Sequence, residues 1–351
     1  MVREIAIEHF FQEEEMKRVG FIVLALLVCG AVVFAGGSKQ NAGGKIKIGV
    51  ALPTLREQRW SLDYNGFLAA ADEAGVEVII QVADNNAARQ QSQCENLITM
   101  GAKVLIVAPH DEGAAKNIVD MAHKSGVPVI SYDRLVGNAN VDLYVTFDQW
   151  RIGNLMGEYM NSNLDRGNII FLKGDPGDST CVPLKEGAMA AIKSKVDSGA
   201  YRIVSEQDCR DWEPNEALKH TENALTANNN NIQGVIAPND GTAGGVIQAL
   251  AAQGLAGKVI VTGQDCETDA VKRIIAGTQS MTVFFDCGEM SKAALQAAVK
   301  IANKQDPGAT GKENDGTFNV PTLEFPATAI TKDNYRSILI NGGFMSEDDL
   351  N

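Results

Sequence analysis

From Lys45 onward, short runs of β-branched and apolar residues alternate with stretches of helical length. This pattern constrains the fold most. Apolar strands separated by helices pair side by side in a parallel sheet, with helices on both faces. In the first half, Lys45–Leu52, Val76–Ala83, Lys103–Ala108, Val127–Tyr132 and Val141–Phe147 read as strands. Helices are expected between them at Trp60–Ala74, Ala87–Met100 and Glu112–Ser125. A second set follows, with strands at Asn168–Leu172, Tyr201–Glu206, Gly234–Ala237, Lys258–Thr262 and Met281–Phe285. Beyond it come a helix at Met290–Asn303, a polar loop at Asp306–Thr317, an extended stretch at Val320–Ile330 and a short helix at Lys332–Leu339. The expected fold is α/β, with two doubly wound parallel-sheet lobes.

In such sheets the carboxyl ends of the strands face the ligand crevice. Val127–Leu135, VPVISYDRL, ends its apolar run abruptly in Asp133 and Arg134. Taken alone, this is equally a surface turn with a local ion pair. Other strands end in the same kind of residue: Arg56, Arg59 and Trp60 after the first, then Asp175 and Asp178, Trp212, Asn239 and Asp240, and Gln264 and Asp265. Asp, Asn and Arg offer paired donors and acceptors, and Trp offers a flat apolar face. The set suits a small uncharged polyol, because a charged ligand would leave either the carboxylates or the guanidiniums unopposed. Each residue also has a plainer reading. A core-aromatic role is the less favoured alternative for Trp60 and Trp212, Asp240 is expected to cap the helix after it, and a cap for the helix at Asp269 is the alternative for Asp265. Trp150 reads as hinge packing.

The formal net charge of −13 and the lack of any Lys/Arg-rich run exclude a nucleic-acid binder. Six cysteines occur without a CxxC spacing, so no zinc site is expected. Cys181 with Cys209, or Cys266 with Cys287, are the candidate disulfides. No phosphate-binding loop, dinucleotide glycine fingerprint or HExxH occurs. His110 follows a strand but has no nucleophile elbow beside it. No catalytic residue, metal or cofactor is expected. Paired carboxylates for glycoside hydrolysis remain open from the residues alone.

Residues 1–35 read as an N-terminal extension followed by a signal peptide. Lys17 and Arg18 follow Met16, the apolar run Phe21–Phe34 comes next, and Ala35-Gly36-Gly37 supplies small residues. Met16 is the expected start. A lipid anchor at Cys29 is the competing reading. Residues 36–44, GGSKQNAGG, form a flexible linker.

At LREQRWSLD (Leu55–Asp63), SYDRL (Ser131–Leu135), ENALTANNNNI (Glu222–Ile232), NDGTAGGVIQALAAQGLAGKV (Asn239–Val259) and TGQDC with VKRIIAGTQSMTVF (Thr262–Phe284), the chain resembles periplasmic sugar-binding proteins of ABC transporters. The likeness covers Lys45 to the C-terminus and is to the D-xylose-binding and multiple-sugar-binding branches. It implies ligand contacts from Arg59, Asp133, Arg134, Asp178, Trp212, Asn239 and Asp265, with a stacking face from Trp60. The chain departs from the xylose-binding pattern at two positions, with Thr180 in place of Asn and Phe285 in place of Lys.

The resemblance also implies the type I binding-protein fold, with a ligand cleft between lobes joined by three hinge segments, near 147–152, 283–286 and 320–325. One lobe then holds 45–147 plus 286–320, and the other 148–285 plus 321–351. The implied partners are a monosaccharide, D-xylose or a related aldose, and an ABC permease in the inner membrane, with the binding protein a monomer in the periplasm. The alternative is a sugar sensor that presents its closed form to a membrane receptor. A transcription regulator would need a helix-turn-helix where the signal peptide lies.

Overall fold

The computed structural model describes residues 44–351. The signal peptide, Cys29 and all but the last residue of the linker lie outside the described residues. In the first lobe, β1 (Lys47–Leu52), β2 (Glu77–Val82), β3 (Val104–Val107), β4 (Val129–Tyr132) and β5 (Leu143–Phe147) are parallel, joined in part by α1 (Gln58–Ala74), α2 (Ala87–Thr99) and α3 (Lys116–Lys124). β3, β4 and β5 are buried along their whole length, which is why they read as unbroken apolar runs.

The second lobe holds α4 (Gln149–Asn163), β6 (Gly167–Lys173), α5 (Cys181–Asp197), β7 (Tyr201–Asp208), α6 (Pro214–Ala227), β8 (Gly234–Ile236), α7 (Asp240–Ala252), β9 (Ile260–Val261), α8 (Thr268–Ala276) and β10 (Thr282–Phe284). Here the parallel sheet has the order β7-β6-β8-β9. β10 is not part of it, and pairs antiparallel with β13 (Thr328–Ile330). Between these two strands the chain returns to the first lobe through α9 (Cys287–Ala302), β11 (Gly311–Asn314) and β12 (Asn319–Phe325). The first sheet thereby reaches seven strands, β11-β12-β5-β4-β3-β1-β2.

Two details differ from the sequence reading. The region expected as a loop at Asp306–Thr317 contains β11, a wholly exposed edge strand of sequence GKEN, whose polar residues carry no strand pattern. In addition, β12 pairs with β5 through Phe325↔Phe147, so first-lobe pairing runs past residue 320, the expected lobe boundary.

Each of the three crossings carries a phenylalanine, and the three rings meet. Phe147 and Phe285 have centroids 4.3 Å apart, and Phe147 and Phe325 are 6.3 Å apart. The chain thus passes between lobes through a small aromatic cluster, where offset and edge contacts are favoured. All five described cysteines are free thiols, so neither candidate disulfide is present. Cys181 Sγ instead meets the Asp175 carbonyl at 3.1 Å. Trp150 is 44% exposed and does not pack in the hinge.

Candidate functional site

One cavity between the lobes is lined by Arg59, Trp60, Asp133, Arg134, Asp178, Thr180, Trp212, Asn239, Gln264, Asp265 and Phe285, together with Glu57 and Gln149, whereas Arg56, Asp175 and Asp240 do not line it. About 380 Å³ between them, mouth included, holds no protein atom. The enclosed part of this space is only about 30 Å³, far below the ~300–1,000 Å³ of ligand pockets, so the two walls are drawn close together over the site. A larger interlobe groove, about 960 Å³ on the same enclosed measure, runs alongside and shares Gln149, Asp178 and Thr180. Its charged residues are mostly carboxylates, and Arg59, Arg134, Asp133 and Asp265 do not line it, so we place the site in the smaller cavity, where carboxylates and guanidiniums face each other.

The first-lobe wall begins at the turn after β1. In α1, Arg59 and Asp63 lie four residues apart on the buried face. The guanidinium donates from Nε and Nη2 to Asp63 Oδ2 at 3.3 and 3.0 Å, and from Nη1 to Asp133 Oδ1 at 2.6 Å. Asp63 Oδ1 accepts from Tyr132 Oη at 2.5 Å. Burial pushes the Asp63 carboxyl up to about 6, against the pull of Arg59 and the Tyr132 hydroxyl. Arg59 also lies 4.2 Å from the Trp60 ring centroid, and Arg134 lies 5.4 Å from the same ring. Trp60, 2% exposed, therefore holds both guanidiniums by cation–π contact while bordering the cavity.

Asp133 has a left-handed backbone, φ +63°, directly after β4. The turn is fixed from the neighbouring strand: Asp133 N donates to Val145 O at 2.7 Å, and Tyr144 Oη and Thr146 Oγ1 donate to Asp133 O at 2.8 and 3.0 Å. Asp211, Trp212 and Asp265 also have positive φ. Uncommon backbone conformations of this kind gather at ligand sites, where the surrounding structure holds them in place.

On the second-lobe wall, Asp178 orders its neighbours. Its Oδ1 accepts from Thr180 N and Oγ1 at 2.9 and 2.7 Å, and its Oδ2 accepts from Trp212 Nε1 at 3.1 Å. Arg134 Nε lies 2.6 Å from the same Oδ2, a charge contact between lobes whose N–H direction misses the oxygen. Asp175 holds the Trp212 turn from behind, accepting from Gly177 N and Asp211 N, each at 2.7 Å. Trp212 lies directly against Gly174, where a Cβ would fall 2.3 Å from the ring, so only glycine leaves the indole its seat.

Asn239, not Asp240, is the cap of α7. Asn239 Oδ1 accepts from Thr242 N at 2.9 Å, and Asn239 Nδ2 reaches Asp265 Oδ2 at 3.4 Å. Asp240 is the first helical residue and turns inward. Its carboxylate accepts from Gln279 Nε2, Thr282 Oγ1 and Glu267 N at 2.7, 2.8 and 3.0 Å. Burial, helped by the charge of Glu267, pushes it up to about 7 despite those donors. Asp265 does not cap α8, whose flanking residue is Glu267. Burial raises the Asp265 carboxyl well above the usual carboxylate range, with Arg59 opposing the shift.

The lobes also meet around the rim. Gln58 Oε1 accepts from Thr268 N at 2.8 Å, and Gln58 Nε2 donates to Thr268 Oγ1 at 3.0 Å. Arg56 pairs with Glu213, Leu135 N donates to Ser179 Oγ at 2.7 Å, and Glu112 N donates to Gly177 O at 3.0 Å. His110 Nε2 is 3.8 Å from Asp211 Oδ1, a rim ion-pair position with no nucleophile. No cluster of metal-ligating side chains occurs among the described residues. Nor is any helix among them long and apolar enough to cross a membrane.

The periplasmic binding protein domain model matches residues 48–306. The chain belongs to this family. It is 39% identical over 306 residues to the D-xylose-binding periplasmic protein of Escherichia coli, covering 87% of this chain and 93% of that one. With the multiple sugar-binding periplasmic receptor ChvE of Rhizobium radiobacter it shares 33% identity over 330 residues, covering 88% and 93%. A solved carbohydrate transporter solute-binding protein from Chloroflexus aurantiacus, in complex with D-glucose, superposes with a TM-score of 0.82 at 34% identity, covering 88% of this chain and 98% of that one. The two-lobed α/β architecture is that of the family, and its members are transport binding proteins, not enzymes.

Proposed function

We propose that this periplasmic binding protein captures an uncharged aldose, D-xylose or a close relative, between its lobes and delivers it to an ABC sugar permease from the periplasm. The observation that carries the reading is the convergence of Asp133, Asp178, Asp265, Asn239, Arg59 and Arg134 on one small cavity edged by Trp60, Trp212 and Phe285. Carboxylates and guanidiniums face each other there, so a neutral ligand bearing several hydroxyls can donate to one kind and accept from the other. The names of the relatives agree: one binds D-xylose, another several sugars, and a solved neighbour holds D-glucose.

Phe285 makes this pocket more apolar than a lysine there would. Its ring lies 4.3 Å from Phe147 and 5.5 Å from the Arg59 guanidinium, where an ammonium would be repelled. Thr180 uses its hydroxyl on Asp178, so it acts through that carboxylate. Binding would work by stabilising a closed arrangement that the permease reads. A thermal-shift panel of monosaccharides tests the proposal, because a ligand that binds only the folded form raises Tm. Stabilisation by at least one aldopentose or aldohexose is expected. A flat response across the panel refutes it.

A further inference from the structure

The polar groups around the cavity differ in how far the protein already occupies them. Asp178 takes three hydrogen bonds and a guanidinium contact, and Asn239 Oδ1 takes the α7 cap. These groups have little left for a ligand. Gln264 is the opposite case. It is 6% exposed, its side-chain amide forms no hydrogen bond among the described residues, and its Oε1 is sealed from solvent without a partner. Glu57 shows the same feature on the facing lobe: Oε1 accepts from Arg56 Nε at 3.0 Å, while Oε2 is buried and unpartnered. Both residues line the cavity beside Asp265, whose one side-chain hydrogen bond is the 3.4 Å contact with Asn239.

A buried acceptor without a donor is costly, and such groups in folded proteins have an explanation. We infer that Gln264 and Glu57 are specificity-determining residues, one from each lobe, which accept hydrogen bonds from ligand hydroxyls at the Asp265 end of the cavity. This inference rests on the aldose reading and sharpens it. Unmet acceptors select a ligand that donates there and reject one whose hydroxyl has been replaced. Fluorine matches a hydroxyl in size but cannot donate. A sugar fluorinated at the engaged position should therefore bind worse than its parent, and worse because of these two residues.

The test uses the full-length protein, its Gln264→Leu and Glu57→Gln variants, and calorimetric titration with D-xylose, D-glucose and the monodeoxyfluoro derivatives of each. Unliganded Tm values close to wild type establish that the variants fold. For the wild type, at least one fluorinated position should weaken binding by roughly tenfold or more. Each variant should bind the parent sugar roughly 10- to 100-fold more weakly, and should lose most of the discrimination at that one position while keeping it at others. Parent affinity and fluoro-sugar discrimination both unchanged in both variants would overturn the inference and leave the aldose reading standing. Wild-type protein that binds neither parent sugar would overturn both. If Gln264→Leu fails to fold, Glu57→Gln decides alone, since its exchange keeps shape and the contact with Arg56.

Discussion

The Gln58–Thr268 contact gives a direct measure of how far closure sets affinity. Gln58 does not line the cavity, yet its side chain makes two hydrogen bonds to Thr268 of the opposite lobe, at 2.8 and 3.0 Å. Neither bond survives separation of the lobes. A typical net hydrogen bond contributes about 0.5–1.5 kcal/mol, and exposed ones fall in the lower part of that range. Gln58→Ala should therefore remove about 1–2 kcal/mol from the closed form alone. If the unliganded protein is mainly open, that difference passes into the apparent affinity, weakening it by about 5- to 30-fold. The loss should lie in dissociation, since the bonds form after the sugar has entered. Stopped-flow tryptophan fluorescence separates the two rates, with Trp60 and Trp212 as reporters at the cavity wall. Thr268→Ala removes the 3.0 Å bond and keeps the backbone one, so its effect should be smaller, and the double variant should be less than additive. An equilibrium constant within twofold of wild type, or a change confined to association, would refute the reasoning.

Asp265→Asn should weaken aldose binding by roughly 10- to 100-fold, because hydrogen bonds to charged groups are the stronger ones. The unliganded Tm should hold or rise at neutral pH, since burial already disfavours this carboxylate. Gly174→Ala places a methyl 2.3 Å from the Trp212 ring and should cost about 1–3 kcal/mol of stability, read by denaturant titration, with an altered Trp emission spectrum. For pH, Asp240 is raised to about 7 and Asp63 to about 6, both above the ordinary value of 3.8. Between pH 4 and 7 the folded protein then holds protons the unfolded chain has released, so this contribution is fully present below pH 4 and is lost as pH rises through 6 and 7. Asp240→Asn should flatten the fall in Tm across that interval. Reducing agent should leave Tm unchanged, since the described cysteines are free thiols.

The strand–helix alternation made the two sheets legible because β3, β4 and β5 are buried on both faces and so carry continuous apolar runs. The site residues were legible for a related reason: a parallel strand must end somewhere, and a charge at its carboxyl end faces the crevice. What escaped has physical causes as well. β11 is an exposed edge strand, and nothing apolar marks GKEN. The Asn239-Asp240 pair presents two capping residues in a row, and only the fold shows that the second turns inward to Gln279 and Thr282. Asp175 looked like a cleft carboxylate, but it braces the Trp212 turn. The importance of Glu57 depends on the other lobe approaching it, and no local pattern records that.

These observations divide the site into two kinds of polar group. Asp63, Asp178 and Asp175 are held by backbone, guanidinium, indole or phenol partners and fix the geometry of Arg59, Arg134 and Trp212, while Asp133 spends one oxygen on Arg59 and keeps the other for the cavity. Asp265, Gln264 and Glu57 are left short of donors and face the space between the lobes. A site made only of the first kind would be rigid and indifferent, since its groups would gain nothing from a ligand. One made only of the second would not hold its shape when empty. Keeping unsatisfied acceptors on both lobes, while Phe147, Phe285 and Phe325 close the hinge between them, lets a donating ligand relieve a cost that neither lobe can relieve alone. That difference between the empty and filled closed forms is what allows capture to be coupled to closure.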